Sequence, residues 1–328
     1  MTNTHADSAL PSENALPLMA SSGRHYSAME ATPKASRSVG VRQSPGKGAP
    51  SMVLTSEKPS ASVSVELHGL ANGLPLLETS PKVDILGMDF DNFSKQELLS
   101  KLRKGVVFTP NVDHLMKLRR DPEFVSVYQQ ADFKICDSQI VMYASKFLGK
   151  PLKAKLSGAD LFPWFCDYHK HNEDIKIFLL GGMEGVAREA QRRINDRTGR
   201  EIVVDEYSPP YGFEKDPEEC ANIISMIARS PANVLVVCLG APKQERWIAN
   251  YRDALPDIDI FMAVGAAVDF EAGYKPRAPH YVSELGLEWL YRLMCEPKRL
   301  WRRYLVEGMP FVGLVLAEKV RQLKPHKG

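Results

Sequence analysis

No apolar run in this chain approaches the roughly 18 residues of a membrane-spanning helix. The N-terminus has no basic start followed by an apolar core, so a secretory signal is not expected. Cysteine is scarce: Cys136, Cys166, Cys220, Cys238 and Cys295 make an odd count of five, with no CxxC pair. That pattern excludes a disulfide framework and a cysteine zinc site, and it fits reduced thiols in a cytosolic protein. The eight histidines form no ligand pair on a helix face, so they predict no zinc site either. An excess of charge of one sign is also lacking. A formal net charge of +2 creates no global field that calls for a nucleic-acid partner. There is no internal repeat.

What is present is a globular composition, 44% hydrophobic and 25% charged over 328 residues, enough for one or two domains. Residues 1–80 are rich in Ser, Ala and Pro. They cannot bury enough apolar surface to offset their ordering entropy, so they read as a disordered extension. From Val83 onwards, short apolar runs alternate with helical patterns. Val83–Leu86, Val106–Phe108, Phe133–Cys136, Ile175–Leu180, Glu201–Val204, Val234–Leu239 and Ile258–Val264 read as strands. Helices are expected between them. Ser94, Thr109-Pro110, Asp121-Pro122 and Asp216-Pro217 have the grammar of helix starts; others begin after Asp137, at Gly158, near Glu184 and at Lys243. Strands without period-2 alternation, separated by helices, predict a mostly parallel sheet with helices on both faces, a Rossmann-like α/β domain over 83–278. Residues 279–328 change character. Trp289, Tyr291, Trp301 and Tyr304 mix with Arg292, Lys298, Arg299, Arg302 and Arg303. Such a basic, aromatic, helical appendage suits docking at a membrane–water interface.

Ligands of an open α/β sheet sit beyond the carboxyl ends of its parallel strands. Thr109 and Asn111 follow one apolar run and Asp137 follows another, so the three fall at one crevice. Two roles fit Asp137: a helix N-cap, or a general base for a substrate hydroxyl. A cap also accounts for Thr109, and Asn suits a turn. Gly181-Gly182-Met183-Glu184-Gly185 follows a strand and opens a helix, with Asp205-Glu206 about twenty residues on. Its GGxxG spacing fits a nucleotide-binding turn in general better than an NAD site. Gly240-Ala241-Pro242-Lys243-Gln244-Glu245 follows another strand. Its small residues let backbone approach a ligand closely, and Gln244 and Glu245 are expected in the first helical turn, facing the crevice. The plainer alternative is a solvated helix start, where Glu is favoured. Asp89-Phe90-Asp91 has the DxD spacing of some metal sites but is expected in an early loop.

Several of these stretches occur in one order: TPNVDH, ADFKICD, LSGADL, FLLGG, PPYGF, LGAPKQE, RAP, GLEWLYRL and EPKRLWRRY. Together they resemble the WecG/TagA/CpsF glycosyltransferases (glycosyltransferase family 26) from about Val83 to Phe311. The resemblance implies an inverting, metal-independent enzyme with no cofactor. It would move a sugar from a UDP-sugar donor to a polyprenyl-pyrophosphate-linked saccharide in exopolysaccharide or other cell-surface polysaccharide synthesis. It implies a peripheral place on the cytoplasmic face of the bacterial inner membrane, on an anionic surface, with other assembly enzymes as further partners and no nucleic acid. By motif, Asp137 matches the catalytic base and Thr109 and Asn111 the polar pair beside it. Gln244 matches a nucleotide-side glutamine. Lys155, Gly181, Gly182, Gly240, Pro242 and Glu245 fall on the donor side. Arg292, Arg299, Arg302 and Arg303 match the appendage that closes over a diphosphate. Two positions depart from the pattern. Ser138 stands where the family has Gly. Lys155 stands where it has Arg, so a diphosphate would meet a point charge without a bidentate fork, with Lys153 nearby as a substitute. Outside the family, the residues themselves leave open an NAD-dependent oxidoreductase built on Gly181–Gly185, or a non-catalytic, membrane-docked nucleotide-binding scaffold.

Overall fold

The computed structural model describes residues 81–279, 282, 285 and 287–324. The N-terminal extension expected over 1–80 lies outside them. The strands are β1 (Lys82–Ile85), β2 (Met88–Asp91), β3 (Gly105–Phe108), β4 (Phe133–Lys134), β5 (Ile177–Gly181), β6 (Val203–Tyr207), β7 (Val234–Cys238) and β8 (Ile260–Ala263). The helices are α1 (Lys95–Lys101), α2 (Val112–Leu118), α3 (Pro122–Gln129), α4 (Gln139–Phe147), α5 (Gly158–Tyr168), α6 (Val186–Thr198), α7 (Pro217–Arg229), α8 (Lys243–Tyr251), α9 (Ala267–Glu271), α10 (Glu288–Cys295), α11 (Pro297–Trp301) and α12 (Met309–Leu323). A π-helical turn, Arg302–Glu307, joins the last two.

Six strands form one parallel sheet in the order β4-β3-β8-β7-β5-β6, and β1 and β2 make a separate antiparallel pair. The continuous apolar runs of β5, β7 and β8 are buried throughout, as expected of strands covered on both faces. Val106, Phe108, Leu180, Leu235, Val237 and Phe261 point to one face, under α2, α3, α4, α7, α8 and α12. Val107, Ile177, Leu179, Val234, Val236 and Met262 point to the other, under α1, α5, α6 and α9. The chain leaves β3 towards β4 on one side and returns along β7 and β8 from the other. The carboxyl ends of β3 and β8 therefore flank the point where the strand order reverses, which is where such sheets bind ligands.

Helix starts follow the sequence closely. Ser94 and Glu97 close a capping box on α1, and Asp121-Pro122, Ser157 and Asp216-Pro217 open α3, α5 and α7. Two local expectations are corrected. Asn111, not Thr109, caps α2: its side chain accepts Asp113 N–H at 3.1 Å. The residue before a proline avoids helical backbone, so Thr109-Pro110 stay extended and the helix begins two residues later. Asp89 and Asp91 lie in β2 rather than a loop, with Asp91 buried and accepting Lys134 N–H at 2.7 Å. The short helix α9 was not legible, because five residues carry too little periodicity.

Candidate active site at the carboxyl ends of the strands

β4 is only two residues long, but the chain stays alongside β3 beyond it. Ile135 N–H donates to Phe108 O at 3.0 Å, and Asp137 N–H donates to Pro110 O at 3.0 Å. Leu156 N–H then donates to Cys136 O at 2.7 Å, which lays Lys155 in the next layer beside Asp137. Asp137 is not a helix cap. Ser138 takes that role in α4, its Oγ accepting Val141 N–H at 3.3 Å. The departure from the family glycine is therefore a capping serine. It leaves the Asp137 carboxylate free of backbone duty.

Asp137 is half-buried, and desolvation of its carboxyl pushes the pKa up to about 7; Glu288 and Asp160 push the same way, against Arg292 and Lys155. A carboxylate held there is half-ionised near neutrality and suits proton transfer. Lys155 Nζ lies 3.5 Å from Glu288 Oε2, and Arg292, one turn on along α10, bonds the other oxygen of Glu288. Arg292 also stacks over Phe270, with its guanidinium 5.3 Å from the ring centre. Lys153, the other cation of this loop, pairs with Glu97 at 2.7 Å.

Thr109 is buried and donates to Ala263 O at 3.2 Å, so it ties β3 to β8. Gln244 and Glu245 do not face the crevice as expected. They are 3% and 0% exposed, turned inward beneath the strand ends. Gly182 and Gly240 line a cleft of about 340 Å3, with Tyr211, Lys243, Asp269 and Lys275 around it, whereas Gly181 and Pro242 lie off its lining. At Gly181 a Cβ would come within 2.5 Å of Cys238 O, so only glycine lets β5 and β7 end so close together. Lys243 pairs with Glu214 at 2.5 Å and sits over the Tyr211 ring at 4.8 Å, while Lys275 pairs with Asp269 at 3.0 Å. Gly265 and Ala266, at the end of β8, complete the lining.

The acids of the dinucleotide reading are engaged elsewhere: Asp205 bonds Ser230, and Glu206 pairs with Arg188 at 3.1 Å. Of the appendage arginines, Arg292 reaches Asp137's surroundings. Arg302 is 74% exposed and pairs with Glu307, and the side chains of Arg299 and Arg303 lie outside the described residues. Sequence reasoning missed Glu288, Asp269 and Lys275. Glu288 had a signal in its spacing of four from Arg292. Asp269 sits on the illegible α9.

The sequence model described as the glycosyl transferase WecG/TagA/CpsF family matches residues 83–325. A protein of Bacillus spizizenii, named N-acetylglucosaminyldiphosphoundecaprenol N-acetyl-beta-D-mannosaminyltransferase, is 33% identical over 230 residues, covering 70% of this chain and 85% of its own. A Staphylococcus aureus protein of the same name is 27% identical over 256 residues, covering 75% of this chain and 96% of its own.

Proposed function

The chain belongs to the WecG/TagA/CpsF family of glycosyltransferases, and from that premise we propose that it transfers an N-acetylhexosamine from a UDP-linked donor to a polyprenyl-diphosphate-linked saccharide. The named relatives act, by their names, as N-acetylmannosaminyltransferases on N-acetylglucosaminyl-diphosphoundecaprenol. That pair of sugars is the first choice here. The observation that carries the reading is Asp137, a half-buried carboxyl at a strand end, with its pKa raised to about 7 beside Lys155 and Arg292.

Asp137 removes the proton of the acceptor hydroxyl as that oxygen attacks the anomeric carbon. The nucleoside diphosphate departs from the opposite face, so the configuration inverts in a single displacement. Charge grows on the departing diphosphate, and fixed cations stabilise it there most effectively. Lys155 and Arg292 are those cations, and no step is assigned to a metal. The cleft of Gly182, Gly240, Tyr211 and Asp269 takes the nucleoside.

The enzyme works as a peripheral protein on the cytoplasmic membrane face, where its lipid-linked acceptor lies. No helix among the described residues is long and apolar enough to cross a membrane. Supporting an interfacial role, α12 exposes Met309, Val312, Leu316, Val320 and Leu323, spaced to form one apolar stripe.

A panel of UDP-sugars offered with polyprenyl-diphosphate-linked N-acetylglucosamine, read by mass spectrometry, tests the proposal. A product lengthened by one N-acetylhexosamine is expected. Lengthening only by a neutral hexose, or none from any UDP-sugar, would count against it.

A further inference from the structure

Beneath the strand ends runs a chain of side chains that are not themselves part of the cleft lining. It starts at Gln244, whose Oε1 accepts two backbone N–H groups, Gly240 at 3.2 Å and Gly265 at 3.0 Å. One amide oxygen thus pins the turn after β7 to the turn after β8. Gln244 Nε2 donates to Glu245 Oε1 at 2.9 Å. The same carboxylate oxygen lies 3.3 Å from His114 Nε2 on α2. His114 Nδ1 in turn accepts Asn111 N–H at 3.2 Å. His114 Nδ1 also lies 2.9 Å from Asn111 Oδ1, so the ring contacts both the backbone and the side chain of Asn111.

The three linking side chains are all but inaccessible: Gln244 3%, Glu245 0% and His114 4% exposed. Oε2 of Glu245 is buried with no hydrogen-bond partner among the described residues. Burying such a carboxylate costs more stability than an apolar residue of the same size would. Packing alone therefore does not explain it. What the chain joins does. At one end are the Gly240 and Gly265 turns that line the cleft. At the other is the backbone of Asn111, next to Pro110, whose carbonyl accepts Asp137 N–H.

We propose that His114, Glu245 and Gln244 are positioning residues that couple the two halves of the active site. They hold the Gly240 and Gly265 turns in register with the segment that carries Asp137, and none of them touches substrate. The proposal rests on the reading of the cleft as the nucleotide half and of Asp137 as the base. It also reassigns Gln244, from a ligand of the nucleotide to the clamp of the turns that receive it.

Three variants test it. His114→Phe keeps a ring between Phe124 and Tyr128, whose centroids lie 6.3 and 6.1 Å away, and removes the ring's polar contacts to Asn111 and Glu245. Gln244→Met removes the clamp itself. Glu245→Gln keeps an acceptor oxygen for both neighbours. The first readout is amide hydrogen exchange on the ligand-free protein, so it does not depend on the functional reading. His114→Phe should speed exchange about tenfold in peptides carrying Gly240 and Gly265, leaving β5 unchanged. Glu245→Gln should stay near wild type. The second readout is UDP affinity. His114→Phe and Gln244→Met should each weaken it by about tenfold, and the double variant by little more than either alone. Unaltered exchange at Gly240 and Gly265 in His114→Phe would overturn the proposal, as would multiplying losses in the double variant. Should His114→Phe not fold, Glu245→Gln decides: exchange near wild type supports the chain, and a tenfold acceleration overturns it. A wild-type protein that binds no UDP would sink the functional reading and leave the exchange result standing.

Discussion

In the proposed mechanism Asp137 is the base, and its environment makes predictions about pH. The base must be ionised to accept a proton. With its pKa pushed up to about 7, kcat/KM should fall by about tenfold per pH unit below neutrality and level off above it. Glu288 raises that pKa and Arg292 lowers it. Glu288→Gln should therefore move the acid limb to lower pH and Arg292→Ala to higher pH, whatever either does to the maximum. A pH–rate series on the three proteins reads this, and shifts of the reverse sign would contradict it. The same residue has a cost in stability. Its folded-state pKa lies above the ordinary carboxylate value of 3.8, so the folded state holds its proton more tightly than the unfolded state. Stability is thus lost as pH rises from about 4 towards 7 and stays lost above. Asp137→Asn should raise Tm, by more at pH 8 than at pH 5. From sequence alone the cap and the base were equally good roles for Asp137. Only the backbone could separate them, by giving the cap to Ser138.

Elements were legible where the local chemistry was strong. The buried strands β5, β7 and β8 announced themselves as apolar runs, and the caps of α1, α3 and α7 as Ser/Asp with Glu or Pro behind. The start of α2 was not, because Thr109-Pro110 and Asn111 are both good helix openings and the choice depends on which backbone pairs with Asp137. The inward turn of Gln244 and Glu245 was hidden for a related reason: a polar first turn looks solvated until the neighbouring helix supplies His114. The cap on α4 gives a direct test. Ser138→Ala should cost about 1 kcal/mol and Ser138→Gly a few tenths, read by chemical denaturation, with turnover unchanged in both. A large loss of turnover without a loss of stability would mean that Ser138 serves the reaction. On α12, Leu316→Glu with Val320→Glu should weaken binding to anionic vesicles in flotation assays and spare UDP binding. Undiminished flotation would count against the interfacial stripe.

At the scale of the molecule, the parallel sheet with two covered faces followed from the alternation of runs, but its strand order did not, since periodicity carries no information on which strands pair. Nor did the sequence show how the C-terminal segment packs. Leu300, Phe311 and Val315 are buried, and the last two join the core on one face of the sheet. Each buried side chain of this kind stabilises by about 1.5–3 kcal/mol. Removing everything after Arg277 should therefore lower Tm markedly as well as loosen the membrane, which is why point substitutions on the exposed stripe are the cleaner probe. The central claim, a family glycosyltransferase with Asp137 as its base, meets its most direct test in one pair of measurements on Asp137→Asn. Transfer to the polyprenyl-diphosphate-linked acceptor should fall by about 10²–10⁴-fold, while UDP affinity by calorimetry stays close to that of the unaltered protein. Near-normal transfer by this variant, with the protein folded and UDP bound, would contradict the account.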